Sequence, residues 1–177
     1  MGVRVPSGVP IQVNNFMTTL PPTLYVDRVP NLSINLNKLV QEYLSVEHRM
    51  TDAVSTHQNA ILVQRKFHLK LYGIDAPEIF NLQYTLEIAK NILALQDFNS
   101  ITYRLIMQNT CYNWHVDTGK FCVHIPLITN PGCRFVYENR AFAMPADGSV
   151  YVVNNGIPHT FVNAGPAPRL HLTFENL

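Results

Sequence analysis

Two histidines and an aspartate stand out in a chain that is sparing with charge. In NWHVDTGKFCVHIPL, His115 and Asp117 lie two residues apart. In an extended chain such residues project from one side, so an imidazole nitrogen and a carboxylate oxygen can reach the same point. Two ligands do not make a metal site, and an isolated H-x-D pair is more often an ordinary hydrogen-bonded or surface pair. A third ligand is available at His159, which follows the turn NNGIP and opens the extended stretch HTFVN. Two imidazoles and one carboxylate on one side of a cation form the facial arrangement of non-haem Fe(II) sites, whose open positions bind small molecules and dioxygen.

A second set of candidates lies near the C-terminus. The stretch PRLHLTFE places Arg169, His171 and Thr173 on one face and Leu170, Leu172 and Phe174 on the other. The apolar face belongs to a core, so the polar face looks into an interior space or out to water. A buried arginine requires a carboxylate, and a dicarboxylate ligand can supply one where the chain does not. A surface ion pair is the alternative reading of Arg169.

Composition narrows what these residues can belong to. The chain has 177 residues, enough for one domain with a sizeable core. Charged residues make up 14% and apolar or aromatic ones 47%, against about 25% charged in ordinary domains. A formal net charge of +1 with scattered Lys and Arg offers no phosphate-binding stripe, which argues against nucleic acid as a partner. Cys111, Cys122 and Cys133 cannot all pair within one chain and form no C-x-x-C motif, so a reducing, cytoplasmic setting is expected. Pro6, Gly8 and Pro10 break the N-terminal stretch, which lacks the apolar core of a signal peptide. No segment reaches the roughly eighteen apolar residues of a membrane span.

The elements that must hold the candidates follow from periodicity. TLYVD (residues 23–27) alternates like a strand, and Asn31 or Ser33 can cap a helix running to about His48, with Leu36, Leu39, Val40, Tyr43 and Leu44 on one face. AILVQRKFHLKLYGI is β-rich. A second helix is expected with Asp75 as cap, Pro77 in the first turn and Glu78 completing a capping box. Its buried stripe would be Ile79, Leu82, Leu86, Ala89, Ile92 and Leu93. Beyond Phe98, turn signals arrive about every eight to twelve residues. They separate the strands SITYRLIMQ, FCVHIPLIT, CRFVYEN, GSVYVVN, HTFVN and PRLHLTFE. The expected fold is a single domain, mainly β with packing helices: a double-stranded β-helix (jelly roll, cupin-like). Residues 1–98 would be a helix-containing support region, and 99–177 the core strands that carry the site.

Four separated segments, WHVDT, VHIPLITNPGCRF, YVVNNGIPHTFVN and PRLHLTFE, match one known pattern in order. Over roughly residues 100 to 175 the chain resembles the aspartyl/asparaginyl β-hydroxylase-like branch of the Fe(II)/2-oxoglutarate dioxygenases. The resemblance implies an enzyme that hydroxylates an amino-acid-like substrate or an Asp/Asn-type peptide side chain, using dioxygen and releasing succinate and CO2, with ascorbate as a supporting reductant. It makes His115, Asp117 and His159 the iron ligands and Arg169 the grip on the distal carboxylate of 2-oxoglutarate. His124 falls where the family has a histidine near the cosubstrate's other carboxylate. Members often carry an arginine two residues earlier, where this chain has Cys122, and Arg104 or Lys120 are the substitutes on offer. Some members have glycine at the position of Asp117, so this chain is of the three-ligand type.

The remaining polar residues carry two readings each. His171 is either a neighbour of the cosubstrate or a satisfied interior histidine. Asn155 and Asn163 match the family pattern, but strand-end hydrogen bonding explains them equally. Trp114 reads as a core or rim aromatic at the edge of the pocket, and Cys111 and Cys133 as small buried hydrophobes. His48, His57 and His68 read as structural. Two other functions compete: a cupin-like metal enzyme that uses no 2-oxoglutarate, with Arg169 in an internal ion pair, and a non-catalytic jelly-roll binding module. Oligomeric state is not legible in these residues.

Overall fold

The computed structural model describes residues 25–52, 66–72, 82–92, 100–118 and 121–175. Eleven strands and two helices run in chain order as β1 Val26–Ser33, α1 Leu36–Val46, β2 Thr51–Asp52, β3 Lys66–Tyr72, α2 Gln83–Glu87, β4 Ser100–Ile106, β5 Thr110–Cys111, β6 Phe121–Ile128, β7 Cys133–Tyr137, β8 Arg140–Phe142, β9 Ser149–Asn154, β10 His159–Asn163 and β11 Arg169–Glu175. A 3-10 turn follows α1 and a π-helical turn, Ile88–Ile92, continues α2. A seven-stranded sheet in the order β1-β9-β6-β11-β4-β3-β2 faces a four-stranded sheet in the order β5-β10-β7-β8. The named strand pairings are antiparallel. This is the expected jelly-roll arrangement.

The alternation in β11 decides where the core and the site lie. Leu170, Leu172 and Phe174 join Ile101, Tyr103, Val123 and Ile125 on the outer face of the large sheet, where Leu39 and Tyr43 of α1 and Leu82, Ile88 and Ala89 near α2 cover them. The other face of the same strands looks at the small sheet. A second cluster there contains Ile106, Phe135, Tyr137, Tyr151, Val153 and Phe161. The helices thus seal one face of the large sheet and leave the space between the sheets to the polar residues of β4, β6 and β11.

Several boundaries differ from the sequence expectations, each for a physical reason. The first strand does not end at Asp27. Pairing with β9 carries it to Ser33, through a register irregularity between Arg28 and Ser33 in which Asn31 takes a left-handed φ of 56°. Neither Asn31 nor Ser33 caps α1. Asn35 does, its Oδ1 accepting from Lys38 N at 3.3 Å. The expected cap Asp75, with Pro77, Glu78, Ile79 and Leu93, lies outside the described residues. The described helix begins at Gln83, and the carboxylate of Glu42 on α1 accepts from Tyr84 N at 2.6 Å and Thr85 N at 2.9 Å. The six strands expected beyond Phe98 are present, and two short ones are added, the two-residue β5 and the three-residue β8, neither with an alternation to signal it. Pro126 stands in an interior strand. His171 pairs with Pro126 and Leu170 with Ile128, so β6 bulges at Leu127, next to the residue that has no N–H to give the ladder.

Candidate metal centre

His115 and His159 face each other across an isolated antiparallel bridge, each backbone N–H donating to the other's carbonyl at 3.0 Å. Two residues on, Asp117 N donates to Asn155 O at 3.0 Å. These bonds place both imidazoles and the carboxylate on one side of the chain pair. His115 Nε2 lies 3.7 Å from Asp117 Oδ1, and His159 Nε2 lies 4.0 Å from Asp117 Oδ2. One donor atom from each residue falls within 4.8 Å of the others.

Hydrogen bonds behind the three groups prepare them for a cation. His115 Nδ1 donates to Asn113 O at 2.8 Å and His159 Nδ1 donates to Ile157 O at 2.9 Å. A carbonyl can only accept, so each Nδ1 carries the proton and each Nε2 presents a lone pair, as metal binding demands. Burial holds His159 below its usual pKa, with adjacent His115 adding to the effect and the Ile157 carbonyl and Asp117 opposing it. Asn155 Nδ2 donates to Asp117 Oδ2 at 2.8 Å and fixes the carboxylate's rotation. His159 is deep, its side chain 4% exposed, whereas His115 and Asp117 stand at the mouth. Its ring stacks on Phe135, with centroids 5.0 Å apart and planes 16° from parallel.

A cavity of about 250 Å³ opens beside these donors and is bounded further by Arg104, Cys122, His124, Phe161, Arg169 and Glu175. Arg169 is 2% exposed, so the surface ion-pair reading does not hold. Its guanidinium lies 3.8 Å from the Phe161 ring centroid, and an Nη donates to His171 Nδ1. Its Nε has no partner among the described residues. Burial pulls its pKa down to about 9. An arginine side chain only donates, so His171 Nδ1 accepts, and His124 Nδ1, 3.2 Å away, is the donor of the next contact. Burial first and the Arg169 charge second push both histidines well below their usual pKa, so this chain of groups carries one positive charge at neutral pH.

The other sequence candidates separate clearly. Arg104 reaches the cavity, but it is ion-paired with Glu175 and its Nε donates to Thr173 Oγ1 at 3.1 Å. Burial opposes the Arg104 charge, and Glu175 beside it outweighs that, so its pKa is raised. Cys122 lines the cavity as a thiol, since burial pushes its pKa well up, and it brings no positive charge where the family has arginine. Lys120 and His57 lie outside the described residues. Trp114 is 55% exposed and lies outside the cavity wall, because it alternates with the inward-facing His115. Asn163 is fully buried and ties Ile106, Met107 and Ala167 carbonyls together, a structural part. Cys111 is exposed on the short edge strand β5, contrary to the expectation of burial, whereas Cys133 is buried. His48 sits in the 3-10 turn, and His68 Nε2 lies 3.4 Å from Tyr112 OH.

Glu175, Phe161 and Phe135 were missed in the sequence. The first two extend the period-two faces of Arg169 and His159 and could have been found by continuing the alternation. Phe135 pairs with Phe161 across strands and has no local signal.

Comparison with known proteins bears on the family and the fold. The family profile described as Aspartyl/Asparaginyl beta-hydroxylase matches residues 34–176, starting well upstream of the segments that carry the resemblance in sequence. Among solved structures, a 2OG-Fe(II) oxygenase family oxidoreductase from Burkholderia pseudomallei superposes with a TM-score of 0.60 at 12% identity, covering 97% of this chain and 91% of the other. A prolyl-4-hydroxylase from Pseudomonas putida gives 0.60 at 18% identity, covering 93% and 96%. HygX from Streptomyces hygroscopicus, with nickel and 2-oxoglutarate bound, gives 0.55 at 12%, covering 93% and 85%. At such identities the structural matches establish the jelly-roll fold, and the profile, spanning most of the chain, establishes the kinship. The chain belongs to the aspartyl/asparaginyl β-hydroxylase family, on the fold shared by 2OG-Fe(II) oxygenases of known structure.

Proposed function

We propose that His115, Asp117 and His159 hold the Fe(II), and that Arg169 receives the distal carboxylate of 2-oxoglutarate, with His171 and His124 beside it. The substrate is a small amino-acid-like molecule or an Asp/Asn-type side chain presented by a peptide. The observation that carries this reading is Arg169, buried with an orphaned Nε and no acidic partner among the described residues, in the same cavity as three convergent metal donors. A buried charge without a counter-ion is costly, and a dicarboxylate removes that cost. A metal enzyme without 2-oxoglutarate would need an internal partner for Arg169. None stands among the described residues.

The donor set fits a cation that retains open positions. Fe(II) with 2-oxoglutarate would activate dioxygen, one oxygen atom going to succinate as CO2 leaves and the other turning an unactivated C–H into C–OH. The chain's own groups supply order. Asn113 and Ile157 carbonyls hold the two imidazoles in the ligating tautomer, and Asn155 holds Asp117. Phe135 and Phe161 wall off water on the side of the small sheet, and Arg169 fixes one end of the cosubstrate. The free thiols Cys122 and Cys133 suit a reducing compartment, which supports a cytoplasmic location. Among the described residues no helix is long and apolar enough to cross a membrane.

The test is succinate formation from 2-oxoglutarate in the presence of Fe(II) and ascorbate. Arg169→Ala is expected to raise the 2-oxoglutarate concentration required at least tenfold, with a far smaller effect on Fe(II) binding. Equal loss of both would remove Arg169 from the role given to it.

A further inference from the structure

Two arginines border the cavity, and they differ in one respect that determines what each can bind. Arg169 is deep and has no acid beside it among the described residues, whereas Arg104 is paired with Glu175. Arg104 sits on β4 and Glu175 on the adjoining β11, both interior strands of the large sheet. The opposite face of these strands lies under the helices; both side chains line the cavity and keep 25% and 27% of their surface exposed. A guanidinium has five N–H donors and a carboxylate about four acceptor positions. Their contacts with each other, with Thr173 and with Tyr112 leave donors on one and lone pairs on the other.

We propose that Arg104 and Glu175 are the substrate-recognition couple, Arg104 taking the α-carboxylate and Glu175 the α-ammonium of a free amino acid. This rests on the reading of the cavity as the Fe(II) and 2-oxoglutarate site. The couple has no net charge, so a zwitterion with adjacent opposite charges satisfies both partners and leaves neither desolvated alone. A simple carboxylate would meet Glu175 as a like charge, and an amine would meet Arg104 the same way. The backbone of an internal peptide residue offers neither charge. The same logic keeps the cosubstrate in its place, because a dianion is repelled by Glu175 and drawn to the uncompensated Arg169. The cavity volume of about 250 Å³ lies below the roughly 300–1,000 Å³ of drug-sized pockets, which suits a small second ligand.

The experiment uses the Fe(II)-loaded full chain with 2-oxoglutarate and reads stimulation of succinate formation by each free L-amino acid, its N-acetyl derivative and its carboxamide. At least one free amino acid is expected to accelerate turnover, and removing either charge from it should raise its KM at least tenfold. Glu175→Gln and Arg104→Gln should raise the KM for that amino acid by a larger factor than that for 2-oxoglutarate. Stimulation by blocked amino acids or internal peptide residues as strong as by the free form overturns the proposal, as does an absence of stimulation by any free amino acid. Anaerobic calorimetric titration of 2-oxoglutarate into the Fe(II)-loaded protein separates the two levels. Intact cosubstrate binding with no charge selectivity sinks the couple alone, whereas no binding sinks the site reading and the couple with it.

Discussion

Arg169 holds a charge that the fold does not neutralise, and this has a consequence for stability as well as for binding. Replacing a buried, unpaired ion with an apolar residue of similar length is often neutral or stabilising. Arg169→Met is therefore expected to melt at or above the wild-type temperature in the absence of ligand. The wild type in Fe(II) should gain about 2.7 kcal/mol of stability at 2-oxoglutarate concentrations a hundred times its Kd, and the variant, binding at least tenfold more weakly, no more than about 1.4 kcal/mol. Scanning calorimetry with and without 2-oxoglutarate reads both effects, and a ligand-free variant several degrees less stable would contradict the account. Asn155 acts one step behind the metal donors. Partners that orient a ligand typically contribute a factor of about 10–100 in metal affinity. Asn155→Ala should weaken Fe(II) binding by that range in an anaerobic titration while the fold persists, since only the Asp117 bond is lost among its described side-chain contacts.

Among the elements, the carboxylate of Glu42 ties α1 to α2, alongside the Asn35 N–H that donates to Tyr84 OH at 2.9 Å. Glu42 accepts from Tyr84 N, Thr85 N and, at 2.7 Å, Thr85 Oγ1, whose oxygen lies 3.4 Å from Tyr103 OH on β4. A negative group on the first N–H groups of a helix both caps it and complements its dipole. Glu42→Ala is expected to cost about 2 kcal/mol, the value of a charge-assisted bond set, seen as a lower urea midpoint at unchanged slope. Local sequence signals placed the strands well, because turn residues and period-two alternation act within a few residues of each other. They failed at β1, where pairing with β9 extends the strand through Pro30 and Asn31, and at β8, whose three residues show no pattern. Helix capping failed for the same reason: Asn31 has the right side chain, but the sheet claims its backbone first.

Across the whole molecule, acid stability is set by the histidines between the sheets. His124 and His171 are neutral in the fold, held well below their ordinary pKa by burial and then by the Arg169 charge. The unfolded chain protonates both below about pH 6.5, so below that value it binds more protons than the fold does. Stability is therefore full above pH 6.5 and declines as the pH falls toward the depressed folded values, by up to about 2.7 kcal/mol per pH unit for two protons. Denaturant titrations at pH 7.5 and 5.5 should show this loss, and His171→Gln should reduce it by about half. The sequence by itself named the candidates at 115, 117 and 159, put Arg169 and His171 on one face of a strand, and pointed to the jelly-roll class, because alternation and turn chemistry are local properties. Only the tertiary structure decided that Arg169 points inward with no acid beside it among the described residues, and that Arg104 meets Glu175. Which charges end up paired depends on strand order, and β11 acquires both neighbours, β4 and β6, from segments far away in the chain.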